Sequence, residues 1–218
     1  MELQKLPDQL VDSVYSPELI DIAVELSDVG IDQFLDDGFV KDLPVVGVIA
    51  KIFKAGLDIR DRIFIAKIAK FLFKLKEVPE KQSIIFKEKI SEDQNFKKKV
   101  GQTLVLLLER LDDLEKPNII GKCFAYYLSN KISFADFRRL SAAIELAFID
   151  DLYALLGEHI EKSSFVIDSK ENLVRTGLIR IQGSGAIGGG DEIHYFLSQL
   201  GQLFVNIMTD KVDQLMTV

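Results

Sequence analysis

Residues 43–75 read LPVVGVIAKIFKAGLDIRDRIFIAKIAKFLFKL, and whether this stretch crosses a bilayer or builds a helical bundle decides the fold. A spanning helix needs about 20 nearly uncharged residues. Here Lys51, Lys54, Asp58, Arg60, Asp61, Arg62, Lys67, Lys70 and Lys74 interrupt the apolar run, so the stretch reads as amphipathic helix. One side, crowded with Val, Ile, Phe and Leu, suits a core. The other, almost wholly basic apart from Asp58 and Asp61, suits an anionic bilayer surface. Periodicity does not choose between them. The polar stripe Lys51, Lys54, Asp58 restarts at a different phase with Lys67, Lys70 and Lys74, which predicts a kink or two helices near 59–64.

Outward from this stretch, helix punctuation covers most of the chain. Ser16-Pro17-Glu18 supplies a cap, a first-turn proline and an acid, predicting a helix over about 16–29 closed by Gly30. Pro44 can open the next. Pro79 opens a short helix to about Ile90, and Ser91 to Asp93 cap another running through VGQTLVLLLERLDDLE. Within it Leu104 to Leu108 is apolar all round, as in a central bundle helix. Pro117 opens a helix through IIGKCFAYYLSN, and Ser133 caps FADFRRLSAAIELAFIDDLYALLGE, which ends at Gly157. Phe124, Tyr126, Tyr127, Phe134, Phe137 and Phe148 fall at helical spacing and are expected in the core, because a base-stacking platform needs interleaved cations. Residues 1–158 are thus expected to form a multi-helix bundle.

The last sixty residues change character. SKENLVRTGLIRIQ reads as a short helix turning into a strand, GSGAIGGGD as a glycine-rich loop, EIHYFLS as a second strand, and SQLGQLFVNIM as a closing helix capped by Ser198. The register Gly177-Leu178-Ile179, followed after the loop by Tyr195-Phe196-Leu197-Ser198-Gln199-Leu200-Gly201, resembles the end of winged-helix domains. The resemblance implies a small winged-helix-like α+β module over 159–218 with a two-stranded hairpin as its wing, attached to a mainly α chain. Winged helices serve both DNA binding and protein contacts. Gly183, Gly185, Ile187 and Tyr195 are the candidates for a protein contact, with the glycine loop as its adaptable part. The whole arrangement is similar to that of helical bacterial proteins associated with phage defence or abortive infection.

Net charge is −7 over 218 residues, but unevenly spread. Residues 1–50 hold two Lys/Arg against eleven Asp/Glu, whereas residues 51–99 hold fourteen against seven. The simpler reading is internal: the acidic first fifty residues pack near the basic second fifty. The alternative is a free patch for lipid or nucleic-acid phosphates. Its candidates are Lys51, Lys54, Lys67, Lys70, Lys74, Lys97, Lys98 and Lys99, with Lys87 and Lys89 beside them. For a DNA-reading wing the candidates are Lys170, Arg175 and Arg180. These stand among Asp168, Glu171, Asp191 and Glu192, a poor background for neutralising phosphates.

No arrangement points to catalysis. Gly183, Gly185 and Gly188 match a dinucleotide fingerprint only formally, because a strand follows them and Asp191 and Glu192 would repel phosphate. The pairs Asp36-Asp37, Asp112-Asp113 and Asp150-Asp151 point about 100° apart on a helix and read as solvated surface. His194 reads as a partly buried structural histidine, and Ser184 lacks the flanks of a nucleophile elbow. With two histidines and one cysteine, Cys123, no cofactor, transition-metal site or internal disulfide is expected. The opening MELQKLPDQL has neither the basic nor the apolar region of a secretory signal, so a cytoplasmic location is expected. The expected function is non-enzymatic: an interaction or sensor protein that binds another protein. A membrane-active effector using residues 45–75 and a nucleic-acid binder are the alternatives.

Overall fold

The computed structural model describes residues 6–17, 20, 21, 23, 58–157, 167–183 and 193–211. Over these the chain is mainly α-helical with one two-stranded antiparallel sheet near the C-terminus, the fold class the sequence predicts. It divides into two compact units, Met1–Asn130 and Lys131–Val218. The helices over 134–157, grouped by sequence with the bundle, here pack with the C-terminal helices and fall in the second unit.

In the first unit, α1 (Leu6–Val14) buries Leu6, Leu10, Val11 and Val14. It is not among the predicted helices, although those four residues fall at helical spacing and Pro7 and Asp8 stand in its first turn. Of the helix expected over 16–29, Pro17, Ile20, Asp21 and Ala23 are helical; its remainder, the helix opened at Pro44, Lys51 and Lys54 lie outside the described residues. The phase slip at 59–64 has a plain cause. A fresh helix, α2 (Ile59–Phe73), starts there under a capping box: the Asp61 N–H donates to Asp58 Oδ1 at 2.9 Å and the Asp58 N–H to Asp61 Oδ2 at 3.2 Å. A 3₁₀ turn (Lys74–Glu77) leads to α3 (Glu80–Glu92), opened by Pro79. Next come α4 (Gln94–Arg110), capped by Asp93, and α5 (Lys116–Leu128).

Helix α1 packs on α4 and α2 on α5, while α3 touches both α4 and α5. The packing is close enough that a side chain at Gly101 would meet the Pro7 carbonyl oxygen at 2.4 Å and one at Gly121 the Phe71 carbonyl oxygen at 2.5 Å. At the centre, Phe124 lies 5.5 Å from both Phe71 and Tyr127, and Phe86 meets Phe124 and Tyr127 edge-on at 6.1 and 6.0 Å. Leu104, Leu107 and Leu108 are buried, but Leu106 is 54% exposed, so α4 has an outer face and is not apolar all round its surroundings.

Cys123 sits in this core, where burial pushes its thiol up to about 12 from an ordinary 9.0; burial likewise raises Tyr127 to about 12. Both folded-state values lie above those of the unfolded chain, so the folded state holds protons that the unfolded chain gives up. Their stability contribution is intact below about pH 9 and declines as pH climbs towards 12. Urea midpoints measured across that range are expected to fall, and to fall less steeply in Cys123→Ala. An unchanged slope in the variant would remove Cys123 as a source.

In the second unit the single helix expected over 134–157 is two. Ser133 caps α6 (Phe134–Leu146) in a capping box with Asp136. At Ala147 the backbone turns extended, with ψ 148°, and α7 (Ile149–Gly157) begins. No proline or glycine punctuates the break. Its consequence corrects the expected core: Phe148 is 70% exposed and Leu146 73%, while Phe137 is fully buried with Phe134 stacked on it at 5.9 Å. Asp151, expected in solvent, is buried with Oδ2 unbonded among the described residues; Asp150 stays exposed. Asp112 also does more than solvate a surface. It accepts from the Nζ of buried Lys116 at 2.5 Å, and that hydrogen bond holds its carboxyl below the ordinary carboxylate value.

Candidate interaction site

The hairpin near the C-terminus is built on a helix stop that can be followed atom by atom. Helix α8 (Ile167–Arg175) ends at Gly177, whose φ of +78° is left-handed. The Gly177 N–H bonds to the Val174 carbonyl at 3.0 Å and the Leu178 N–H to the Leu173 carbonyl at 3.2 Å. This is the pair of bonds of a Schellman stop, and Leu173 and Leu178, the positions that customarily make its apolar contact, are both fully buried. Strand β1 (Ile179–Gly183) follows and pairs with β2 (Ile193–Leu197), Ile179 opposite Leu197 and Ile181 opposite Tyr195.

Ser198 then locks the base. Its N–H donates to the Leu178 carbonyl at 3.0 Å, its hydroxyl donates to the Gly177 carbonyl at 2.6 Å, and its Oγ accepts from the Gly201 N–H at 3.0 Å. That last bond caps α9 (Gln199–Met208). Gly201 is where this helix crosses the hairpin base: a β-carbon there would stand 1.9 Å from the Leu178 carbonyl oxygen. Gly177, Leu178, Ser198 and Gly201 thus each have a local physical role at the hairpin base.

Strand alternation sorts the hairpin into two faces. On one, Ile179 is buried, Tyr195 and Leu197 are half-buried, and Ile181 is 49% exposed. On the other, Arg180, His194 and Phe196 are all exposed, Phe196 at 39%, with the His194 and Phe196 rings 6.4 Å apart. His194 is therefore a surface residue, contrary to the sequence reading. Of the protein-contact candidates, Tyr195 is on the first face with the Lys170 ammonium 5.4 Å from its ring, and Gly183 ends β1. Gly185 and Ile187 lie outside the described residues. The nucleic-acid candidates do not converge. Lys170 rests on the Tyr195 face, Arg180 projects from the opposite face, and Arg175, five positions along α8 from Lys170, points about 140° away from it.

The anionic-surface candidates also part company. Lys67 is buried, its Nζ donating to the Glu109 carbonyl at 3.2 Å and the Leu111 carbonyl at 2.6 Å; burial lowers its pKa. It holds down the C-terminal end of α4 and is not a surface charge. Lys70 pairs with Glu115 at 2.8 Å and Lys97 with Asp12 at 2.6 Å. Lys74 and Lys76 lie over the Phe73 ring at 4.9 and 4.0 Å. Lys98 and Lys99 are exposed. The Asp12–Lys97 pair and the Lys87 ammonium 5.4 Å from the Tyr15 ring do join the first fifty residues to the second fifty.

Among the described residues no helix is long and apolar enough to cross a membrane, and no group of three or more His, Cys, Asp or Glu is placed to hold a metal ion. The chain matches no family model, no curated protein and no solved structure.

Proposed function

We propose that this chain is a non-enzymatic interaction protein whose winged-helix-like C-terminal module contacts another protein through the hairpin β1–β2, in the setting of bacterial phage defence. One observation carries the reading. The hairpin is held rigidly at its base by the Gly177 stop and Ser198, yet exposes Ile181 on one face and Phe196 on the other. Among the described residues each strand is paired only with the other, so a partner strand can add at an edge while an apolar pocket takes a side chain. Leu146 and Phe148 add exposed apolar area in the same unit. The scattered cations of the module favour a protein over DNA, and the pairing of Lys70 and Lys97 and burial of Lys67 leave less free charge for a lipid surface.

Ile181→Asp/Phe196→Asp in the full chain is the direct test. Both positions are already exposed, so the fold is expected to keep its circular dichroism and melting temperature. A stoichiometric partner recovered from the native host by the wild type is expected to be lost by the double variant. Equal recovery by both would remove the hairpin from the contact.

A further inference from the structure

The first unit contains a cleft of about 490 Å³, a size typical of small-ligand sites. Its apolar walls include Tyr15, Leu75, Val78 and Ile84. Tyr15 is fixed there: its hydroxyl donates to the Asp12 carboxylate, which also accepts from Lys97. Burial and that acid neighbour raise the phenol, so it stays neutral.

The polar groups of the cleft follow a simple order. Helix α3 contributes Glu80, Ser83, Ile84 and Lys87, positions i, i+3, i+4 and i+7, which share one face. A carboxylate therefore stands at one end of the stripe and an ammonium at the other, their backbones about 10.5 Å apart along the axis, with an isoleucine and a hydroxyl between. Asp21 and Lys76 line the same cleft and repeat both signs. Among the described residues none of these four charged groups is engaged in an ion pair, although the Lys76 and Lys87 ammoniums lie over the Phe73 and Tyr15 rings. A pure anion would meet two carboxylates and a pure cation two ammoniums. The match is an apolar body with one charge of each sign at its ends, and an extended tripeptide spans about 10–11 Å.

We propose that this cleft binds a short apolar peptide of about three residues as its zwitterion. The peptide's ammonium is directed to Glu80, its carboxylate to Lys87, and its central side chain lies on Ile84, Leu75 and Tyr15.

Calorimetric titration of the full chain with Ala-Leu-Ala, its N-acetyl form, its C-terminal amide and the doubly blocked form tests this. The free tripeptide is expected to bind with Kd on the order of 0.1 mM, as ordinary ligand efficiency gives. Each single block is expected to weaken binding about 5- to 10-fold. Lys87→Gln and Glu80→Gln, both at exposed positions, are expected to weaken it similarly. Lys87→Gln is expected to add nothing against the amide, and Glu80→Gln nothing against the acetylated peptide. Equal affinity for the doubly blocked peptide would mean that apolar contact alone drives binding, and would overturn the proposal. So would tighter binding of the acetylated form, which would make the cleft an anion site, and so would the absence of heat at millimolar peptide.

Discussion

Gly201→Ala is expected to cost about 3–5 kcal/mol of the second unit's stability, the range of severe overpacking combined with a lost cap. The new β-carbon would lie 1.9 Å from the Leu178 carbonyl oxygen, 2.9 Å from its carbon and 3.0 Å from Leu197 Cδ2. The first two are backbone atoms, so no rotamer change relieves the contact. Leu178 also has little freedom to retreat. Its carbonyl accepts the Ser198 N–H, its N–H closes the helix stop on Leu173, and its side chain is fully buried. Pushing it away breaks the Ser198 bond or opens the stop. Two other glycines grade the effect. Gly177→Ala meets no atom within 4 Å but must adopt φ +78°, which costs about 1 kcal/mol for a residue with a β-carbon. Gly157→Ala, at the end of α7 with open space around it, is expected to be neutral or slightly stabilising. Denaturant unfolding that ranks the three 201, 177, 157 in order of loss would establish the tight crossing of α9 over the hairpin base. A Gly201→Ala loss no larger than that at Gly177 would refute it.

That crossing also shows what the sequence could and could not carry. Ser198 was legible because a cap is a local device with few suitable residues, whereas Gly177 entered only through the winged-helix register, although a left-handed stop is equally local. Gly201 was legible only through the winged-helix register; its reason is the close approach to Leu178, twenty-three positions earlier. The break at Ala147 was not legible at all. Nothing in LAFID forbids a helix; the break lets α6 pack on α9 while α7 packs on both α8 and α9. Hence Phe148, apolar and at core spacing, was placed inside when it lies outside. Lys67 failed for the mirror-image reason. It sits on the basic stripe with Lys70 and Lys74, and only the far end of α4, more than forty residues away in sequence, turns it into a buried donor. The candidate cleft was similarly hidden: Glu80, Ser83, Ile84 and Lys87 make an ordinary polar stripe until Tyr15 and Leu75 close on it.

Lys67→Glu gives the second large effect, because the two readings of that lysine predict opposite outcomes for the same variant. On a lipid-binding surface the change would spare the fold. In the observed setting it places a carboxylate where an amine donated to the Glu109 and Leu111 carbonyls, at the negative end of the α4 dipole. The new charge is buried, faces the two carbonyls it cannot bond and has Glu109 and Asp112 as electrostatic neighbours, offset in part by the Arg60 guanidinium. A loss of about 3–5 kcal/mol is expected, as for a poorly compensated buried charge, a large fraction of an ordinary domain's stability. Lys67→Met separates the donor from the charge. The stem still packs, a burial that disfavours the ammonium is relieved, and the buried Leu111 carbonyl is left unbonded, so about 1–2 kcal/mol is expected. The alkaline behaviour has a definite sign. Burial sets the folded value of Lys67 below the unfolded one, so between the two the unfolded chain binds the extra proton and this residue's contribution to stability rises with pH. The wild-type advantage over Lys67→Met should therefore widen in that interval. Lys98→Glu/Lys99→Glu, both exposed, is expected to change stability by less than about 0.5 kcal/mol. A Lys67→Glu protein that melts with the wild type would return Lys67 to the surface and reopen the membrane reading. Collapse of that variant beside an intact Lys98→Glu/Lys99→Glu protein would show that the basic stripe of 51–99 is partly structural, and that the charge a polyanion could meet is smaller than the sequence total.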